Sequence, residues 1–148
     1  MGAQLPVAAP VLITGAGVSG LGAAKLLTDL GVAHAVADDN AAGRTTLHEA
    51  TGSPTLTAEE AAERLGEFGS VVTSPGWRPD TPLLVRAAEA GLEVIGDVEL
   101  CFRLDRAGVF GAPRDWLVVT GTNGKTTTTG MLASITVSYT HLTLPTKA

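Results

Sequence analysis

Val11-Leu12-Ile13-Thr14-Gly15-Ala16-Gly17-Val18-Ser19-Gly20 (VLITGAGVSG) sets an apolar run of four residues directly before a G-x-G-x-x-G pattern. Such a short apolar run, closed by glycines, reads as a strand. From Val18 to Leu30, Leu21, Ala24, Leu27 and Leu30 fall at helical spacing, and Gly31 supplies a stop. Strand, glycine turn and helix in that order can hold a diphosphate. The glycines permit the tight turn, let backbone amides approach the ligand and let the helix pack on the strand, while the helix start offers partial positive charge. Ala33–Ala37 (AHAVA) then reads as a second strand ending at Asp38 and Asp39, 18–19 residues beyond Gly20. An acid there can bind a ribose hydroxyl, and it can as well be a solvated turn residue. The pattern is compatible with a nicotinamide dinucleotide and with other nucleotide diphosphates.

Further along, residues 40–56 are polar and punctuated and read as loop. Thr57 with Glu60 makes a capping box opening a helix through about Phe68, and Ser70–Ser74 (SVVTS) is a strand stopped by Pro75-Gly76. Asp80 or Thr81 starts a helix with Pro82 in its first turn, running to Ala90. Leu92–Gly96 (LEVIG) is the next strand, and Asp97 caps a helix through about Arg106. Ala107–Asp115 (AGVFGAPRD) has no periodicity and is the linker candidate. Beyond it Trp116–Thr120 (WLVVT) reads as one more strand. Strands alternating with helices predict an α/β fold with a parallel sheet.

Composition agrees with that class. Of 148 residues, 45% are hydrophobic but only 4% aromatic, so the core must be built from Ala, Val, Leu and Ile. The net charge of −5 comes with no cluster of Lys or Arg, which argues against nucleic acid as a partner. Cys101 is the single cysteine, so no intrachain disulfide is available and the cytoplasm is the expected compartment. Residues 1–24 lack charge but have no basic start, and their glycines have the use given above. The uncharged run Thr126–Thr146 holds eight threonines and is too polar for a membrane span.

The second motif, Thr120-Gly121-Thr122-Asn123-Gly124-Lys125-Thr126, lies between an apolar run and a helix expected from Lys125. Backbone amides there can cradle phosphates, Lys125 can reach the β- and γ-phosphates, and the Thr126 hydroxyl can ligate Mg²⁺. It departs from G-x-x-x-x-G-K-[ST] because Val119 stands where the first glycine would fall.

TGTNGKTTT (120–128) resembles the shorter ATP loop of the Mur ligase and folylpolyglutamate synthase superfamily. GAGVSG (15–20), TSPG (73–76) and IGDVEL (95–100) resemble, in order and spacing, the N-terminal domain of its D-glutamate-adding branch, over about residues 8–136. The resemblance implies a Rossmann-like UDP-substrate domain over residues 1–112. It also implies the first strand, phosphate loop and helix of a truncated ATPase domain over 113–136. The implied activity of the parent is ATP- and Mg²⁺-dependent ligation of D-glutamate to UDP-N-acetylmuramoyl-L-alanine in peptidoglycan precursor synthesis, through an acyl phosphate. Carried over, Gly15, Gly17, Val18 and Ser19 hold the diphosphate, Asp38, Asp39 and Asn40 lie near the uridine, and Ser74, Pro75 and Gly76 border the muramoyl part. Gly121, Thr122, Asn123, Gly124, Lys125, Thr126 and Thr127 bind ATP phosphates, with Lys125 and Thr126 carrying the chemistry and Thr126 the metal contact. The different-class alternative is a stand-alone NAD- or nucleotide-binding module without ligase chemistry. Neither nucleic acid, membrane nor protein is an expected partner.

The remaining candidates are plainer. His34 alternates with apolar neighbours, His48 is in a polar stretch, and neither has a second ligand at metal spacing. Cys101 reads as a small core residue, Asp97 and Glu99 as N-cap and first-turn acid, and Trp77 as either cleft wall or surface aromatic. Val137–Ala148 (VSYTHLTLPTKA) breaks the helix pattern and resembles the translation of a sequencing-library transposase adapter. It is expected to be a non-native tail on a truncated, inactive fragment, with no role for His141 or Lys147.

Overall fold

In the computed structural model, which describes residues 5–137, VLIT forms β1 (Val11–Thr14) with all four residues buried. Alternation within this run sends side chains to opposite faces. Val11 and Ile13 join a core with Ala24, Leu27, Val36, Leu47, Leu100 and Leu104, whereas Leu12 joins a second core with Leu56, Ala61, Val71, Leu83 and Ala87. A strand at the centre of a covered sheet needs apolar residues on both sides, which is why its sequence is continuous rather than alternating.

Five strands form one parallel sheet: β1, β2 (His34–Ala37), β3 (Thr55–Leu56), β4 (Ser70–Thr73) and β5 (Glu93–Gly96). Their order is β3-β2-β1-β4-β5, with Val11 opposite His34 on one side and Ser70 on the other. Helices α1 (Val18–Asp29), α2 (Ala41–Thr51) and α5 (Asp97–Arg106) supply the first core, and α3 (Ala58–Glu63) and α4 (Pro82–Glu89) the second. The chain is therefore an α/β protein with a Rossmann-like doubly wound sheet, as its pattern of elements implies.

The interval 40–56 differs from the expected loop. Asn40 Oδ1 accepts from the amides of Ala42 and Gly43, at 3.1 and 3.3 Å, and starts α2. Gly52, at φ +70°, ends it by donating to His48 O at 2.7 Å. Leu47 is the one buried residue of α2, so caps at both ends define the helix more than an apolar stripe does. Pro54 O then accepts from Val36 N, aligning β3 on β2.

The Thr57–Glu60 capping box is present in both directions, at 2.7 and 3.1 Å. Its helix stops at Glu63, and a 3-10 turn over Leu65–Glu67 tucks Leu65 and Phe68 into the second core. Gly96, not Asp97, is the N-cap of α5; Asp97 occupies the first turn, where its Oδ1 accepts from Val98 N. Thr81 precedes α4 without a side-chain cap, and Pro82 starts that helix.

The chain divides into two compact units between Pro113 and Arg114, within the glycine- and proline-containing stretch read as a linker. In the second unit, Trp116–Thr120 forms no strand, contrary to its apolar sequence. Leu117 and Val118 are 64% and 78% exposed. A strand needs a neighbouring strand for its amides and carbonyls, and among the described residues no strand pairs with this segment. The final helix α6 (Lys125–Val137) begins at the expected residue. The expected non-native tail lies outside the described residues from 138 onward.

The glycine motif makes a direct test of the packing. A methyl group on Gly20 would lie 1.7 Å from Gly15 O, whereas one on Gly22 of the same helix meets nothing within 4 Å. Gly20→Ala should lower unfolding stability by about 1–3 kcal/mol, as overpacking does. Gly22→Ala should raise it by roughly 0.5–1 kcal/mol through helix propensity. Urea denaturation of the two variants beside the parent chain measures both signs.

Candidate functional site

Strand order reverses direction at β1: the chain leaves β1 for β2 on one side and returns to β4 on the other. Such a switch point opens a crevice at the carboxyl ends of the strands. A cleft of about 380 Å³ lies there, lined by Gly15, Gly17, Val18, Ser19, Asp38, Ser74, Pro75, Gly76 and Trp77. Three segments separated in sequence thus converge, and eight of the ten substrate-site residues expected from sequence are among them.

The floor is the β1–α1 turn. Gly15, at φ +99°, adopts a conformation side chains disfavour, and its amide donates to Ala37 O at 2.8 Å. Gly17 has extended backbone, and a methyl group there would meet no protein atom within 4 Å. The space before it is open to a ligand. Leu21 N to Gly17 O, at 2.9 Å, is the first bond of α1, and no side chain caps this helix start. By helix geometry the amides of Val18, Ser19 and Gly20 have no intrahelical acceptor, so partial positive charge faces the cleft. Val18 is 93% exposed, consistent with a position at the mouth rather than in the core.

Asp38 holds this turn from the side. Its Oδ2 accepts from Ala16 N at 2.6 Å and its Oδ1 from Asn40 N at 2.8 Å, while Arg44 donates to its carbonyl oxygen. The carboxylate ties the glycine loop to the end of β2, a role spacing alone does not reveal. Asp39 and Asn40 fall outside the cleft lining. Asp39 accepts from Ala58 N at 2.9 Å at the start of α3 and borders a neighbouring groove of about 330 Å³ between α3 and α4. Asn40 is occupied in capping α2. Trp77, left open between wall and surface aromatic, is a wall of both the cleft and this groove.

The second motif is considered within its own unit. Gly121 and Gly124 have φ of +149° and +76°, and Lys125 Nζ donates back to Gly121 O, curling the loop beneath its side chain. Thr128 N to Gly124 O, at 2.9 Å, is the first bond of α6. The amides of Lys125, Thr126 and Thr127 therefore lie free of intrahelical partners at an exposed helix start, which suits phosphate oxygens. A methyl group on Gly124 would point into open space, leaving room for a ligand against the backbone. Among the described residues, no three His, Cys, Asp or Glu side chains gather as a metal site, so Thr126 offers one hydroxyl rather than a complete cage.

The other candidates have structural partners. His34 spans Val32 O and Ser53 Oγ, both at 2.8 Å, and His48 contacts Ser53 O at 2.9 Å. Burial, with Asp97 nearby, pushes the Cys101 thiol above its ordinary value, opposite to what an activated nucleophile requires.

Residues 9–96 match the family model of the Mur ligase MurD-like N-terminal domain. The chain is 61% identical over 125 residues to the UDP-N-acetylmuramoylalanine–D-glutamate ligase of Corynebacterium efficiens, covering 84% of this chain and 26% of that protein. It is 58% identical over 130 residues to the enzyme of the same name from Corynebacterium diphtheriae, covering 87% and 27%. Identity to that of Mycobacterium tuberculosis is 48% over 130 residues, covering 88% and 26%. The chain spans about a quarter of the length of these relatives.

Replacing Asp38 by Ala should leave the amides of Ala16 and Asn40 without their acceptor. The expected loss is about 1–3 kcal/mol of stability, with Asp38→Asn recovering part of it through its remaining carbonyl oxygen. Denaturant unfolding of both variants, without ligand, measures this; equal stability of Asp38→Ala and the parent would show that the carboxylate does not hold the turn.

Proposed function

This chain belongs to the Mur ligase MurD-like family, and from that premise we propose that its first unit holds the UDP-sugar substrate of an ATP-dependent ligase. The parent activity in this reading joins D-glutamate to UDP-N-acetylmuramoyl-L-alanine in the cytoplasm, as a step of peptidoglycan precursor synthesis. The observation that carries it is the convergence of GAGVSG, Asp38 and SPG on one cleft in front of an uncapped helix start. A diphosphate placed there accepts from the amides of Val18 and Ser19 and meets the positive end of α1. Ser74, Pro75 and Gly76 line the opposite side, where the sugar extends.

In the dinucleotide alternative, an acid at the end of the second strand is turned to a ribose. Both oxygens of Asp38 accept backbone amides and hold the glycine turn in either reading. The family match over residues 9–96 supports the UDP-sugar reading.

Gly121–Thr127 supplies the ATP phosphate cradle. Transfer of the γ-phosphoryl group to the substrate carboxylate gives an acyl phosphate, which the amine of D-glutamate attacks, releasing phosphate and forming the amide. A loose phosphoryl-transfer transition state requires alignment and charge neutralisation more than a nucleophilic side chain. Lys125 brings its ammonium to the β- and γ-phosphates by exchanging its contact with Gly121 O for phosphate oxygens. Thr126 would contribute its hydroxyl to a bound Mg²⁺, which would supply further neutralisation of phosphate charge.

Calorimetry on the 148-residue chain should show tighter binding of UDP-N-acetylmuramoyl-L-alanine than of NAD. Gly17→Val should still unfold cooperatively, at most about 1–2 kcal/mol less stable through the poorer N-cap, yet lose the UDP-sugar, because a Cβ there meets no protein atom within 4 Å and projects into the ligand's space. NAD binding tighter than the UDP-sugar, and lost in Gly17→Val, would establish the dinucleotide module instead.

The chain by itself should release no phosphate from ATP in a manner that requires both UDP-N-acetylmuramoyl-L-alanine and D-glutamate. Positioning of the amine accounts for many orders of magnitude in rate, and the chain corresponds to about a quarter of its relatives' length. Dual-substrate-dependent release by the purified chain would refute this.

A further inference from the structure

The turn after β4 carries two polar groups that the fold itself does not use. Trp77 N donates to Ser74 O at 3.0 Å, closing Ser74-Pro75-Gly76-Trp77 into a turn. The turn brings both end side chains over the α-carbon of Gly15: a methyl group built there would lie 3.1 Å from Ser74 Oγ and 3.1 Å from Trp77 Nε1. Neither Ser74 Oγ nor Trp77 Nε1 has a hydrogen-bond partner among the described residues. Because no buried side-chain nitrogen or oxygen among those residues is unsatisfied, both remain reachable within the cleft.

The ring body is held independently of the cleft. Trp77 is half-buried and packs against the core of α3 and α4, which includes Leu83 and Ala62, and its other edge borders the groove between those helices. A packed aromatic body with a free N–H is a donor whose position is set before the ligand arrives. Little side-chain freedom remains to be lost on binding. An indole N–H can only donate, so its partner must be an acceptor oxygen.

We infer that Trp77 is a specificity-determining contact of the cleft, its Nε1–H donating, beside the Ser74 hydroxyl, to an acceptor oxygen of the bound nucleotide-sugar above Gly15. The helix-start amides grip the ligand from the α1 side, and the Ser74–Trp77 pair grips it from the β4 side. The oxygen belongs either to the diphosphate or to the sugar. This inference rests on the UDP-sugar reading of the cleft.

The test uses the full 148-residue chain with ¹⁵N-labelled tryptophan. The chain has two tryptophans, Trp77 and Trp116, and hence two indole N–H signals, assigned with Trp77→Phe. Saturation with UDP-N-acetylmuramoyl-L-alanine should move the Trp77 signal downfield. Trp77→Phe, which keeps an aromatic body, should melt close to the parent yet bind the UDP-sugar roughly threefold to tenfold more weakly, the range of one hydrogen bond. If the same weakening is found with UDP alone, the oxygen is on the diphosphate; if it is found only with the full substrate, the oxygen is on the sugar. Full affinity in Trp77→Phe, or an unmoved Trp77 signal while calorimetry shows the UDP-sugar bound, would overturn the contact and leave the UDP-sugar reading standing. No binding of either uridine compound by the parent chain would overturn that reading itself, and the contact with it.

Discussion

The approach of Gly20 to the carbonyl of Gly15 fixes the rest of the first unit. Because nothing larger than hydrogen fits on Gly20, α1 can lie directly against the end of β1. That closeness leaves the first amides of α1 facing the gap between β1 and β4 rather than solvent at large. It also seats Ala24 and Leu27 on the first core beside Val11 and Ile13. A longer turn would serve the core equally well and displace the helix start from the cleft. One steric limit therefore links the packing of the sheet to the electrostatics of the site.

Around that contact, charged groups serve more as braces than as reagents. Asp38 spends its carboxylate on Ala16 and Asn40, Asp39 on Ala58, and Asn40 on the start of α2. Three consecutive polar residues at the end of β2 thus fasten three different segments: the glycine turn, α3 and α2. The cleft they frame is lined mainly by backbone, small side chains and one tryptophan. In the proposed reading this site recognises its ligand by shape and by amide and indole donors, which suits an anionic ligand more than proton-transfer chemistry.

Much of this was legible in the sequence, for reasons that differ by element. β1 and β4 announce themselves because central parallel strands are short apolar runs bounded by glycine or proline, and the edge strand β5 because Gly91 and Gly96 bound its short run. The Thr57–Glu60 box is legible because both partners are local. α2 escaped because its sequence, AAGRTTLHEAT, has little apolar periodicity and its ends are set by the caps Asn40 and Gly52. Trp116–Thr120 misled in the opposite direction: its residues favour a strand, but a strand is a property of a pair, and propensity does not supply the second member. The cleft was legible where motifs were contiguous and obscure where it depended on side-chain direction, as at Asp38 and Trp77.

Of the sheet's five strands, the central one is also the earliest in the chain. β1 ends at Thr14, but β4, which covers one of its edges through to Thr73, emerges 59 residues later. At a translation rate of about 5–20 residues per second, that edge waits roughly 3–12 s on the ribosome for its permanent neighbour. β2 is made early enough to pair the opposite edge, so until β4 is made one margin of β1 has no strand to pair with. The cleft, built across that same margin, can come into being only once β4 and the turn after it have been made, before β5 completes the sheet.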